Sequence, residues 1–173
     1  MDIEHLKNSI RNIPDYPKPG IQFKDITPIL QDPELFGNVI NIFYDRYKNE
    51  KIDVIVGIES RGFIFAAPLA LKLNCAFVLA RKRGKLPAEI VRAEYELEYG
   101  KDSLEMHKDA IQSGDDVLIV DDLLATGGTV KAVIDLVKQL RGNIVEIACL
   151  IELIDLGGAK KFEQVNNFSI LKI

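Results

Sequence analysis

The sequence predicts an α/β domain: a mostly parallel, twisted sheet flanked by helices. Three observations carry that reading. Four short runs rich in Val, Ile and Leu (Val54–Gly57, Ala76–Ala80, Val117–Val120 and Ile144–Leu150) have the length and composition of strands buried on both faces. Helical patterns separate the first two runs and also the last two, as crossovers between parallel strands require. Residues 117–129 then pass from an apolar run through two carboxylates and a small-residue loop into an amphipathic helix. In open parallel sheets, ligands bind at such carboxyl ends of strands.

Taken in order, Asp2 to Ile10 places Ile3, Leu6 and Ile10 at helical spacing, a short docking helix. Ile13 to Pro28 carries four prolines (Pro14, Pro17, Pro19, Pro28) and Gly20, and is expected to be extended. Asp32 is a suitable N-cap, with Pro33 at the first helical position. The helix it opens puts Leu35, Phe36, Val39, Ile40, Phe43 and Tyr47 on one face. Phe63 to Leu73 reads as a buried helix between the first two strands. A long polar insertion, Arg81 to Asp116, follows the second strand; its segments Ile90–Leu97 and Ser103–His107 flank Tyr99-Gly100-Lys101-Asp102 and read as a two-stranded ribbon. Such an insertion is expected to serve as a flexible lid, placed at residues 82–113. After the motif at 117–129, Val130, Val133, Ile134, Val137 and Leu140 form the apolar face of a helix that ends at Gly142, after Arg141.

Composition bounds the function. A length of 173 residues suits one domain, 1–173, with an ordinary 47% hydrophobic and 28% charged content. The formal net charge of −4 argues against a general nucleic-acid-binding face. No membrane partner is expected either: the apolar stretch from Gly62 to Ala80 is interrupted by Pro68, Lys72 and Asn74. The polar, acidic start is unlike a signal peptide. Cys75 and Cys149 lie in apolar stretches without metal-ligand spacing, which suits buried thiols and a cytoplasmic, reducing compartment. His5 and His107 stand alone, with no Ser or Cys nucleophile nearby to serve.

The chemistry concentrates in Asp121-Asp122-Leu123-Leu124-Ala125-Thr126-Gly127-Gly128-Thr129. A Gly- and Thr-rich loop entering a helix offers backbone N–H groups, hydroxyls and the positive end of a helix dipole, and so suits a phosphate. It is not a Walker loop, since no Lys follows the glycines, and Gly-x-Gly-x-x-Gly spacing is absent. Carboxylates beside a phosphate need another partner. Vicinal sugar hydroxyls fit, and a bound cation would also reconcile the charges. The motif therefore suggests a phosphorylated ribose. Gly57-Ile58-Glu59-Ser60-Arg61-Gly62 is a second strand-to-helix junction, where N–H groups and the Arg61 guanidinium suit a pyrophosphate. The basic run Arg81-Lys82-Arg83-Gly84-Lys85 ends the next strand at the same sheet edge and suits the same ligand.

The 121–129 motif resembles that of the type I phosphoribosyltransferases. Pro19 to Pro28, Gly57 to Phe63, Arg81 to Pro87 and Leu97 to Lys101 extend the resemblance over nearly the whole chain, to the short bacterial, adenine-using branch of that family. Ala66 departs from it, standing where many relatives carry Gly. The resemblance implies the type I fold with a lid ribbon and an N-terminal base-binding hood at residues 1–33. It implies transfer of phosphoribose from 5-phosphoribosyl 1-pyrophosphate (PRPP) to adenine, giving AMP and pyrophosphate, in purine salvage. Asp121 and Asp122 would hold the ribose hydroxyls, and Ala125, Thr126, Gly127, Gly128 and Thr129 the 5′-phosphate. Arg61, Arg81 and Lys85 would bind pyrophosphate, Arg81 in its own or a partner subunit's site. Gln22, Phe23, Lys24 and Leu123 would receive adenine, Glu98 and Arg61 would be catalytic, and Tyr99 would help close the lid. Mg2+ would be held mainly by PRPP and water near the two aspartates, with no direct protein ligand set, and the assembly would be a homodimer. The alternatives are a 6-oxopurine-using relative, against which Gln22-Phe23-Lys24 and Leu97-Glu98-Tyr99-Gly100 argue, and a PRPP-sensing nucleic-acid-binding regulator, which would need an added domain or a basic face.

Overall fold

A computed structural model describes residues 3–96 and 101–173. The chain forms two compact units, Met1–Ile42 and Phe43–Ile173.

In the first unit, α1 (Ile3–Asn8) buries Leu6. The proline-rich segment is not simply extended. It forms an antiparallel pair, β1 (Arg11–Pro14) and β2 (Gln22–Asp25), in which Asn12 faces Lys24 and Pro14 faces Gln22. A helical turn, α2 (Thr27–Gln31), follows. Two features drive the chain into it. The Asp25 carboxylate accepts the Thr27 N–H and hydroxyl, both at 2.9 Å. Pro28 sits in the first turn, where its missing N–H costs nothing. Asp32 caps α3 (Pro33–Tyr47) as the sequence implies, accepting N–H groups from Glu34 at 2.9 Å and Leu35 at 3.1 Å.

The second unit holds the sheet. Its strands are β3 (Val54–Ile58), β4 (Ala76–Lys82), β5 (Ile90–Glu96), β6 (Lys101–His107), β7 (Asp116–Leu124), β8 (Asn143–Glu152) and β9 (Asn167–Lys172). Their order is β5-β6-β4-β3-β7-β8-β9. Pairs among β4, β3, β7, β8 and β9 are parallel, and those of β6 with β4 and β5 are antiparallel. Every residue of β3 is buried, which explains its unbroken apolar run. Val54, Val56 and Ile58 join a core cluster with Val117, Ile119 and the apolar face of α5 (Gly128–Gln139). The other face of β3 meets α4 (Gly62–Leu73): a Cβ on Gly57 would lie 2.9 Å from that of Ala66 and 3.1 Å from the Phe63 ring. Gly57 therefore makes room for Ala66. Since β3 continues through α4 to β4 on one side and borders β7 on the other, the carboxyl ends of β3 and β7 flank the point where strand order reverses, the usual ligand crevice of open α/β sheets.

Three further features go beyond the sequence reading. The two-stranded ribbon expected from the sequence, β5 paired with β6, also joins the main sheet: Arg81 and Lys82 of β4 pair with Glu105 and Leu104 of β6, and Ala93, Leu104 and Met106 are core residues. A further strand, β9, closes one edge, beyond two 3-10 turns at Ile154–Leu156 and Gly158–Phe162. The backbone turn ending α5 is made by Arg141, with φ of 63°, while Gly142 is needed for space, since its Cβ would lie 2.9 Å from a Val137 methyl. Cys149 is fully buried and Cys75 partly so; both are free thiols. Among the described residues, no helix is long and apolar enough to cross a membrane.

Candidate active site

The acid pair lies on β7, in the middle of the sheet. Val117 to Val120 anchor the strand in the core and hold the two carboxylates at its far end. There Asp121 and Asp122 retain only 9% and 4% exposure. Burial pushes both carboxyls above the usual carboxylate range, and for Asp121 the charge of Asp122 pushes further. Two contacts oppose this. The Asp122 N–H donates to Asp121 Oδ1 at 2.8 Å, and the Arg61 guanidinium lies 2.8 Å from Asp122 Oδ2. Arg61 thus acts on both carboxylates.

Arg61 reaches Asp122 because α4 begins hard against β7. A Cβ on Gly62 would lie 2.8 Å from the Val120 carbonyl oxygen and 3.0 Å from Asp121 Oδ1, so this position admits only glycine without a backbone shift. The loop after the acid pair is held by backbone as well. Gly127 has φ of 77°, and a Cβ there would lie 2.3 Å from the carbonyl oxygen of Gly158. Conversely, a Cβ on Gly158 would lie 2.2 Å from the Ala125 carbonyl oxygen. Loop and 3-10 turn are pressed together, and both glycines are needed. Sequence reasoning identified Gly127 and missed Gly158, whose Gly157-Gly158 pair marks a turn but gives no sign of what it packs against. The loop opens α5 with no side-chain cap, so the first N–H groups of the helix face outward without an intrahelical partner. A hollow of about 70 Å³ lies there, roughly the space of two waters. Asp121, Leu123, Ala125, Thr126, Gly127 and Thr129 line it. The glycine-rich loop, Asp121 and Leu123 therefore meet around one hollow.

The ribbon meets this loop. The Tyr95 hydroxyl on β5 donates to Asp102 Oδ2 at 3.1 Å and shares a hydrogen bond with the Thr129 side chain. Burial, with Asp102, pushes its pKa up to about 12. Farther along α5, Gln139 Nε2 donates to the Arg92 carbonyl at 3.1 Å. Strand β5 thus runs along the helix that follows the glycine-rich loop.

The basic run is organised by a residue to which the sequence reading gave no role. Glu59, with its side chain 7% exposed, accepts from Lys85 Nζ at 2.8 Å, the Lys82 N–H at 2.8 Å and Arg81 Nε at 3.2 Å. Burial alone would raise its pKa, but these donors outweigh it and the net shift is downward, so the carboxylate stays charged. Arg61 follows two residues later, which places the three candidate pyrophosphate cations around one short loop.

Gln22, Phe23 and Lys24 lie on β2 of the first unit. There Lys24 Nζ donates to Asn12 Oδ1 at 3.1 Å, Asn12 Nδ2 donates to Gln22 Oε1 at 2.7 Å, and Phe23 meets Tyr16 edge-on, with centroids 5.2 Å apart. Glu98 and Tyr99 fall outside the described residues. Another buried carboxylate, Glu146, is held by its own neighbours: Arg46 grips it with bonds of 2.7 and 2.8 Å and the Tyr47 hydroxyl donates at 2.6 Å. Among the described residues, no group of three or more His, Cys, Asp or Glu gathers as a metal cage.

The chain is similar over nearly its whole length to known proteins. Residues 25–172 match the model of the phosphoribosyl transferase domain family. An adenine phosphoribosyltransferase of Halothermothrix orenii is 58% identical over 167 residues, covering 96% of this chain and 98% of that protein. The crystal structure of the enzyme of that name from Thermoanaerobacter pseudethanolicus superimposes with a TM-score of 0.97 at 50% identity, covering 99% of this chain and all of that one. The Saccharomyces cerevisiae adenine phosphoribosyltransferase, solved with an imino-altritol bisphosphate and adenine, gives a TM-score of 0.93 at 43% identity, covering 98% of each chain.

Proposed function

The chain belongs to the adenine phosphoribosyltransferase family, and from that premise we propose how its residues divide the work. The enzyme transfers phosphoribose from PRPP to adenine. The bond from ribose C1 to pyrophosphate oxygen breaks, a bond from adenine N9 to C1 forms, the N9 proton leaves, and AMP and pyrophosphate result. One observation carries the assignment of residues: a buried carboxylate pair, with the Arg61 guanidinium against it, stands beside an uncapped helix N-terminus. Such a place suits a ribose 5-phosphate, with hydroxyls donating to the acids and phosphate accepting from the loop.

In this reading Asp121 and Asp122 take the 2′ and 3′ hydroxyls and favour the positive charge that develops at C1. Ala125 to Thr129 take the phosphate. Arg61, Lys85 and Arg81 stabilise the leaving pyrophosphate. The acid pair is largely buried, and its carboxylate oxygens suit a divalent ion carried in by the substrate. Mg2+ would be held by PRPP oxygens and water near Asp121 and Asp122, and would neutralise charge on the leaving group. Gln22, Phe23 and Lys24 recognise adenine, Phe23 by stacking, with Leu123 a further apolar contact. The strand pairing supports backbone recognition. Pro14 has no N–H, so the Pro14–Gln22 pair cannot exchange two ladder bonds, and by alternation Lys24 belongs to the same class. The N–H and C=O groups of Gln22 and Lys24 are then directed to the open edge of the two-stranded ribbon, where they suit N1 and the 6-amino group. Glu98 orients the base and takes or relays its proton, and Tyr99 helps close the lid over the reacting sugar. A homodimer and a reducing, cytoplasmic setting complete the proposal; the two free thiols support the latter.

The test is a panel of free bases incubated with PRPP and magnesium, with nucleotide products identified. Adenine is expected to exceed hypoxanthine and guanine in kcat/KM by roughly 10³-fold or more, since a mismatched base leaves buried polar groups unpaired. Comparable values for adenine and guanine would overturn the base assignment.

A further inference from the structure

Glu59 is enclosed where its partners are not. Its side chain is 7% exposed, against 29% for Arg81 and 50% for Lys85. Two backbone bonds fix its place: the Glu59 N–H donates to the Ala80 carbonyl at 2.9 Å, and the Lys82 N–H donates to Glu59 Oε2 at 2.8 Å. The carboxylate is therefore a fixed point of the sheet edge, and the long side chains come to it. Ion pairs with exposed partners add little stability, because solvent screens them and ordering the side chains costs entropy. Stability alone is a weak reason for bringing two cations to one buried carboxylate.

Neither cation is used up there. Arg81 gives Glu59 its Nε–H, and Nη1 lies 3.4 Å from the Lys85 carbonyl oxygen. Guanidinium has five donors and ammonium three, so both groups keep N–H bonds for an outside acceptor. Their separation is limited by their shared anchor, and that anchor lies two residues before Arg61.

We propose that Glu59 is a positioning residue, which holds the Lys85 ammonium and the Arg81 guanidinium side by side so that their remaining donors meet pyrophosphate as a preformed pair. The proposal rests on the assignment of Lys85 and Arg81 to pyrophosphate given above. Glu59 touches no reacting atom; it acts by sparing the ligand the ordering of two flexible side chains.

Calorimetric titration of the intact enzyme with inorganic pyrophosphate and magnesium, and separately with AMP, tests it. Glu59→Gln removes the charge that gathers the cations and is expected to weaken pyrophosphate about tenfold, the worth of one charge-assisted hydrogen bond, while AMP, which needs the acid pair and the phosphate loop, stays within about twofold. Glu59→Asp keeps the charge and shortens the reach. It is expected to weaken pyrophosphate too, by a smaller factor, which separates placement from charge and serves if the Gln variant is poorly folded. The KM for PRPP should rise in both, with kcat changed less. Unchanged or tighter pyrophosphate binding in both variants overturns the proposal, as does equal loss of AMP and pyrophosphate, the mark of a merely deformed site. Lys85→Ala is the control for the underlying reading: full pyrophosphate affinity in that variant removes the assignment of Lys85, and the proposal with it.

Discussion

The two strand-to-helix junctions at the centre of the sheet, β3 into α4 and β7 into α5, are neighbours with similar layouts and opposite means. Each leaves a buried apolar strand and enters a helix with no side-chain cap. The first works through side chains: Glu59 collects Lys85 and Arg81, and Arg61 answers Asp122. The second, past its acid pair, works through backbone, with N–H groups at the start of α5 and a loop pressed on Gly158. Their glycines differ accordingly. Gly62 admits close approach to β7, whereas Gly127 needs both space and a left-handed φ. A junction made of charges depends on every charge having a partner. One made of backbone depends on shape, and few side-chain changes there are neutral.

That contrast can be broken most forcefully at Gly127. Gly127→Ala forces a Cβ into the Gly158 carbonyl and a left-handed φ on a residue that resists it. Kinetics with PRPP should show kcat/KM reduced by about 10²- to 10³-fold, as when a backbone donor is displaced from its anion, together with a lower thermal midpoint. Normal kinetics would show that the loop's shape does not matter.

Arg61→Ala should come next. It removes a proposed pyrophosphate ligand and also takes from buried Asp122 the guanidinium beside it. We expect kcat/KM for PRPP to fall about 10²-fold and stability to fall by about 1–3 kcal/mol. Arg61→Lys should recover little, because ammonium lacks the planar fork. Full rescue by Lys would mean that only net charge is required at this junction.

The smallest effect should have the opposite sign for stability. A carboxyl whose pKa is raised by folding stabilises the fold while protonated, and that contribution is lost as pH rises through the folded value. Burying the Asp121 carboxyl is therefore a cost at neutral pH, where the unfolded chain ionises it freely. Asp121→Asn removes the charge and keeps an oxygen to accept the Asp122 N–H. Thermal melts should show a midpoint raised by roughly 2–4 °C at pH 8. The gain should shrink on acidification and vanish below about pH 4, where the unfolded carboxyl is also protonated. PRPP turnover should nevertheless fall at least about tenfold, since a hydroxyl loses its ionised acceptor. A gain that persists at low pH would point to packing rather than charge.

The residues themselves determined the parallel sheet, both junctions, the capped start of α3 and most of the candidate site. Strands buried on both faces must be continuously apolar, and a phosphate loop must be small and rich in glycine. Those demands fall on consecutive residues, so Val117 to Thr129 could be read directly. The N-terminal hairpin was hidden because prolines signal irregularity whether or not two segments pair. Strand β9, with Ser169 and Leu171 buried and Lys172 exposed, carries too weak a pattern to stand out. Tertiary structure alone decided that the ribbon pairs with β4, that Gly158 supports Gly127, that Arg61 neutralises Asp122 and that Glu59 gathers the basic run. Each is a meeting of groups that the fold brings together rather than a run of adjacent residues. A carboxylate or a glycine looks the same in sequence whatever it meets, and only packing of the strands and helices selects the partner.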